Sequence, residues 1–211
     1  MRWSKNKLKS VPKSVIKRLA LYARCLHRIE LNGVTRVSSQ ALADRLGLNP
    51  AQVRKDLAYF GQFGVPGFGY RPGELREQLR KILGTDHEIR VAIVGVGNLG
   101  KALLSYVGFQ AQGFRFVAAL DIDQRKIGHS VNNIKVKNVR NLEKVVRARH
   151  VDIAVLAVPA NEAQEVTDRL VSCGITAILN FVPLRLVVPS TVKVHYVDFA
   201  MELESLTFYL K

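Results

Sequence analysis

Acidic residues are scarce in this chain. It has 17 Asp and Glu against 32 Lys and Arg in 211 residues, a formal net charge of +15. Such a balance excludes a cationic partner as the main one and points to a polyanion. Only two cysteines occur, Cys25 and Cys173, with no C-x-x-C or metal-ligand spacing. That excludes a disulfide framework and a thiolate metal centre, so both read as small core residues of a reducing compartment. No apolar run approaches the ~18 residues of a membrane span, and no signal peptide is present. There is no internal repeat and no low-complexity tract. These absences describe a cytoplasmic protein with no membrane partner. The five histidines, His27, His87, His129, His150 and His195, are scattered. None stands beside an obvious catalytic partner such as a Lys or a second His in a cleft-forming loop, so no metal and no catalytic residue is expected.

The charge is unevenly placed. Residues 1–85 hold 17 basic and 5 acidic side chains, a net +12, whereas residues 86–211 hold 15 and 12, a net +3. A small basic domain beside a nearly neutral one assigns the polyanion to the first.

Helical periodicity organises that basic part. Val15, Leu19, Tyr22, Leu26 and Ile29 recur at alternating steps of four and three, one face of a helix that Ser10 or Ser14 would cap and Asn32-Gly33 would stop. A second helix runs from about Ser39 to Leu46 with Ser38 or Ser39 as N-cap. After the turn Gly47-Leu48-Asn49, Asn49 caps a third helix and Pro50 takes its first position. Val53, Leu57 and Phe60 form its inner face, and Gly61 ends it. Two short helices so joined are a helix-turn-helix. The outward face of the second presents Gln52, Arg54, Lys55 and Tyr59, side chains suited to base edges and phosphates in a major groove of double-stranded DNA. Asp56 reads instead as the partner of a basic neighbour. Ser38 or Ser39 anchors a phosphate. The stretch GQFGVPGFGYRPG then reads as a β-hairpin wing, with Gly67 to Tyr70 touching the DNA backbone or minor groove and Arg71 nearby.

A linker helix over Glu74–Leu83 and a polar joint over 84–88 close this domain. From Arg90, RVAIVGVGNLG carries a G-x-G-x-x-G array between an apolar run and a helical pattern, the context in which it signals dinucleotide binding. Gly95 permits the turn, Gly97 admits a pyrophosphate and Gly100 lets the helix pack on the strand. Val96, Asn98 and Leu99 complete the cofactor loop, whose N–H groups face the phosphates. A second apolar run, Phe114 to Leu120, ends in Asp121, 21 positions past Gly100, where an acid grips a ribose 2′-OH. Further strands are expected at 134–136, 152–158, 176–180 and 192–197, with helices at 142–149 and 162–172 between them. Apolar runs such as IAVLAV suit buried parallel strands. The expected fold is α/β: an N-terminal winged helix-turn-helix domain over 1–85, a Rossmann doubly wound sheet over 86–197, and a C-terminal helix over 198–211. In that helix Phe199, Leu203, Leu206 and Leu210 share a face, which either closes its own sheet or is exchanged between subunits.

The segments VSSQALADRLGLNPAQVRKDLAYFGQFG, GFGY, VGVGNLG, the VPA at 158–160, GITAILNF and VDFAMELESL together resemble the bacterial redox-sensing transcriptional repressors of the Rex family, along nearly the whole chain. The resemblance implies a homodimer that binds operator DNA when NAD⁺ predominates and leaves it when NADH binds. It implies a nicotinamide pocket of Val158, Pro159, Asn180 and Phe181, with Phe199 supplied by the partner, and a C-terminal helix swapped between subunits. It also implies a latch in which Arg24 and Asp198 pair across subunits in the DNA-competent form and Tyr106 takes over Asp198 in the other. Two other functions stay open on the residues alone: an NAD-dependent oxidoreductase, and a binder of coenzyme A or another adenine nucleotide. The first lacks a stretch for a substrate domain; Asp121 argues against a 2′-phosphate, with Arg125 and Lys126 close by in sequence.

Overall fold

The structure is a computed structural model that describes residues 11–65 and 67–210. The chain divides after His87 into two compact units.

The first unit is helical. Helix α1 spans Lys13–Leu31, α2 Ser39–Leu46, α3 Pro50–Ala58 and α4 Pro72–Leu83. Of the two serines expected to cap α1, Ser10 lies outside the described residues and Ser14 sits within the first turn. The helix starts after Pro12, with no side-chain cap. The backbone does the work: the Pro12 carbonyl accepts from Val15 and Ile16 N–H. Ser38 caps α2 by accepting from Ala41 N–H at 3.0 Å, and Asn49 caps α3 by accepting from Ala51 N–H at 2.8 Å. Helix α3 ends at Ala58, three residues short of Gly61, because the chain tightens and Phe60 N–H returns to the Leu57 carbonyl. The core joins Leu19, Tyr22 and Leu26 of α1 to Leu42 of α2, Val53 and Leu57 of α3 and Leu75 and Leu79 of α4. Arg76 of α4 donates to Glu30 and His27 of α1 at 2.5 and 2.6 Å, fastening the linker helix to the long one. After α3 the chain folds back on itself. Val37 pairs with Tyr70, and Val65 with Gly69, in antiparallel bridges that form the wing.

The second unit is a seven-stranded sheet flanked by helices. In chain order the elements are β1 (Ile89–Val94), α5 (Asn98–Ser105), α6 (Gly108–Ala111), β2 (Phe114–Asp121), β3 (Ser130–Val131), β4 (Ile134–Asn138), α7 (Leu142–Arg149), β5 (Ile153–Leu156), α8 (Ala160–Ser172), β6 (Ala177–Asn180), β7 (Lys193–Tyr196) and α9 (Phe199–Thr207). The strand order is β3-β4-β2-β1-β5-β6-β7, with every pair parallel except β3–β4. Side chains of β1 alternate: Ala92 and Val94 pack with Leu142 and Val146 of α7 and Leu170 of α8, while Val91 and Ile93 pack with Leu104 of α5. Both faces of the sheet are therefore covered, which is why its central strands β1, β5 and β6 are largely apolar. Strand β5 is shorter than the apolar run 152–158, since β1 offers partners only from Ile153 to Leu156 and the chain then leaves the sheet. The β3–β4 hairpin was not expected; it turns on Asn132 and Asn133, both at positive φ.

Register fixes where a ligand can sit. Leu120, Val94, Leu156, Asn180 and Tyr196 lie side by side across the sheet. Each is followed by a loop on the same carboxyl edge. The strand order reverses at β1, so the loop after β1 opens at the switch point, where such sheets bind ligands.

Candidate nucleic-acid interface and nucleotide crevice

In the first unit, a groove of about 430 Å³ between α3 and the wing brings together Ser38, Ser39, Arg54, Gly67 and Tyr70, residues that lie up to 32 positions apart in the chain. Arg54 and Lys55 are exposed on α3. Arg54 is aimed by Ser39, whose hydroxyl accepts from its guanidinium at 2.9 Å. Ser38 sits at the N-terminus of α2 with an exposed side chain, beside N–H groups that attract an anion. The Arg36 guanidinium lies 5.2 Å from the ring centre of the exposed wing residue Phe68.

Three expected DNA contacts are placed otherwise. Gln52 turns inward and donates to Asp56 at 2.6 Å. Tyr59 is half-buried against the core. Tyr70 is 9 % exposed, its ring anchoring the wing and only its edge reaching the groove. Burial pushes the Tyr70 phenol up, with Arg54 pulling the other way. The outward pattern of α3 is thus narrower than its sequence suggests, because Asp56 draws one polar neighbour to itself.

In the second unit, Gly95 makes the turn at φ +97°, and a Cβ there would run into the Ala157 carbonyl. A Cβ at Gly100 would strike the Gly95 carbonyl, so α5 packs directly on the turn. Gly97 is different: a Cβ there meets no protein atom within 4 Å, and its φ of −77° is open to any residue. Neither packing nor backbone strain asks for glycine at 97. The open space lies at the N-terminus of α5, where Asn98, Leu99 and Gly100 precede the first intrahelical bond, from Lys101 N–H to the Gly97 carbonyl. This cradle fits a phosphate group.

Asp121 ends β2 and is 6 % exposed. Its carboxylate accepts from Val96 N–H at 2.7 Å, Asp123 N–H at 2.8 Å and the Lys126 ammonium at 3.0 Å. Burial works against its charge, but the two backbone bonds and Lys126 outweigh it and hold the carboxyl below the usual range. The sequence suggests an acid open to a ribose. The structure first uses it to tie the glycine loop to β2, leaving one of about four acceptor positions.

The nicotinamide candidates gather at the same edge. Val158 and Pro159 follow β5, and Phe181 follows β6. Asn180 is 1 % exposed, and its amide bonds the backbone of Val182 and Leu184; it shapes the turn instead of facing a ligand. The Phe199 ring stands 5.9 Å from that of Phe181 within one chain. Asp198 caps α9, accepting from Ala200 and Met201 N–H. Tyr106 is 62 % exposed just past α5 and packs edge-on against Phe109. Arg24 is exposed on α1.

A basic winged helix-turn-helix joined to a parallel sheet with a phosphate cradle defines a ligand-responsive DNA-binding regulator. Comparison with known proteins agrees. Residues 10–58 match the family described as "Putative DNA-binding protein N-terminus", and residues 86–184 match the CoA binding domain family. The redox-sensing transcriptional repressor Rex of Roseiflexus sp. (strain RS-1) is 44 % identical over 205 residues, covering 97 % of this chain and 93 % of its own. That of Carboxydothermus hydrogenoformans is 46 % identical over 201 residues, covering 95 % and 97 %. Among solved structures, RSP, a Rex-family repressor, in complex with NAD⁺ and operator DNA superposes with a TM-score of 0.90 at 38 % identity, covering 95 % of this chain and 92 % of that one. Its complex with NADH gives 0.85 at 36 %, covering 95 % and 94 %. The chain belongs to the Rex family of redox-sensing transcriptional repressors.

Proposed function

We propose that this protein represses transcription in response to the NADH/NAD⁺ ratio, holding operator DNA when NAD⁺ predominates and releasing it when NADH binds. The observation that carries this is the presence, in one chain of that family, of an exposed Arg54–Lys55 pair on a capped recognition helix and an open cradle at Gly97. Arg54 and Lys55 read the major groove, Ser38 holds a phosphate, and the wing from Gly67 to Tyr70 follows the backbone or minor groove. Gly95 to Gly100 hold the pyrophosphate, and Asp121 gives its remaining acceptor position to the ribose. Val158, Pro159 and Phe181 form an apolar pocket for the nicotinamide, bordered by the Phe199 ring that stands beside Phe181 in the same chain. Such a pocket admits an uncharged dihydropyridine ring and disfavours a cationic one, because a charge leaving water there gains no partner. A ligand shifts a conformation only by such a difference in affinity.

The working form is a homodimer, supported by the apolar face of α9, and its place is the cytoplasm, with the DNA. No reaction is proposed for it. The test selects a duplex from a random library with the purified protein, then titrates NAD⁺, NADH and coenzyme A against the complex. Release by NADH alone is expected. Failure to enrich a two-fold symmetric site, release by coenzyme A, or steady consumption of NADH would overturn the reading.

A further inference from the structure

The only charged side chain in the described core of the first unit is Asp56, and its surroundings are unusual for a helix that faces DNA. It lies on the inner face of α3, fully buried beside Val53 and Leu57. Arg18 of α1 grips it with a two-pronged bond, Nε to Oδ2 at 2.5 Å and Nη2 to Oδ1 at 2.8 Å. The Tyr22 hydroxyl donates to Oδ2 at 2.7 Å and the Gln52 amide to Oδ1 at 2.6 Å. Four donors fill the four acceptor positions of one carboxylate.

We propose that Asp56 is a positioning residue for DNA recognition: it fixes the rotation of α3 about its own axis and withdraws Gln52 from the bases. This rests on the reading of α3 as the recognition helix. The apolar contacts of Val53 and Leu57 are non-directional and tolerate rotation. The four bonds do not. A rotation of about 30° moves a side-chain atom some 5–6 Å from a helix axis by about 3 Å, one hydrogen-bond length. Arg54 and Lys55 on the outer face keep their register with base edges only if the inner face stays put. A buried ion pair is a poor source of stability, since desolvation offsets most of its attraction, whereas its geometry restricts the arrangements open to the helix. Burial favours the neutral form of Asp56, but Arg18, Tyr22 and Gln52 together hold it ionised, so the cluster keeps its charge across the physiological range.

The experiment measures affinity for the selected operator and for an unrelated duplex of equal length at one salt concentration, beside a thermal melt. In the full-length protein, Arg18→Met with Asp56→Leu replaces the pair by apolar side chains and removes no net charge, so binding to the unrelated duplex stays within about 2-fold. The operator preference is expected to fall about 10-fold or more. Tyr22→Phe deletes one bond and lowers it about 3–5-fold, a measure that stands if the double variant fails to melt cooperatively. Gln52→Ala leaves the preferred base at every operator position unchanged. A preference retained within about 2-fold in the folded double variant or in Tyr22→Phe overturns the proposal. So does loss of discrimination at a single base pair in Gln52→Ala, since Gln52 would then be a reader. If the unaltered protein shows no operator preference, the recognition-helix reading fails, a result distinct from any of these.

Discussion

At the residue scale, Gly97 and Gly100 look alike in sequence and behave differently in the structure. A valine at 100 must displace the Gly95 carbonyl, whereas one at 97 enters open space. Gly97→Val is therefore expected to shift the melting temperature by no more than about 2 °C while weakening NADH binding about 100-fold or more, read by the fluorescence of the reduced ring. Asp56 carries a pH prediction. Its carboxyl titrates lower in the folded chain than in the unfolded one, so its contribution to stability is full above about pH 5 and is lost as pH falls below about 4 through the folded value. The urea midpoint is expected to fall less steeply between about pH 5 and 3 in the Arg18→Met, Asp56→Leu variant than in the natural protein. Glu143, pushed down to about 2 by the Arg169 guanidinium, adds a slope of the same sign in that window, but it lies in the second unit and is common to both proteins, so the difference between them belongs to the Arg18–Asp56 pair. Some of this was legible. That Asp56 would pair with a base follows from a lone acid beside Arg54 and Lys55. Its partner Arg18, 38 positions away, carried a local sign only: it lies one helical turn before Tyr22, on the same face. The second task of Asp121 left no sign, because a bond to Val96 N–H is a property of the closed turn and not of the sequence.

Among elements, α2 and α7 were readable to the residue and α3 at its start, since caps and periodicity agree there. Asn49-Pro50 is the clearest case. The β3–β4 hairpin had a signal, Asn132-Asn133 between short apolar runs, that the two-residue strand was too brief to support. Helix α9 is the element whose environment the sequence left open. None of its residues is buried in the single chain, and Phe199, Leu203 and Leu206 are 58, 65 and 58 % exposed, with Phe208, Tyr209 and Leu210 beyond them more so. Apolar surface gathered on one helix marks an interaction site. Deleting residues 199–211 is expected to convert the proposed dimer to monomers or to aggregates by light scattering. A truncated chain that remains a well-behaved dimer would remove α9 from the interface.

For the whole molecule, charge and switching are separable. The +12 of residues 1–85 makes DNA affinity fall with salt, and Lys55→Ala, which removes one charge from the groove face, is expected to reduce the slope of log affinity against log salt by about 1 for each subunit bound. Arg54→Ala is expected to cost about 1–3 kcal/mol and relax preference at one position. The latch that the resemblance implies calls for a gentler variant than alanine, because Asp198 also caps α9. Asp198→Asn keeps an N-cap and loses the charge. NADH should still bind it, within about 3-fold, but should no longer control operator release in an anisotropy titration. Unaltered release would exclude Asp198 from the switch.

The division of labour on α3 bears on how such a regulator can be retargeted. The side chains that seat the helix, Gln52, Val53, Asp56 and Leu57, and those that face outward, Arg54 and Lys55, are different residues. Arg54 has one tie among them, to Ser39, and that tie is itself on the surface. On the proposed reading of α3, operator preference drifts by exchange at 54, 55 and 39 while the seat is kept. A lineage of such proteins, or a designer, can move to new promoters without rebuilding the head that carries the readers.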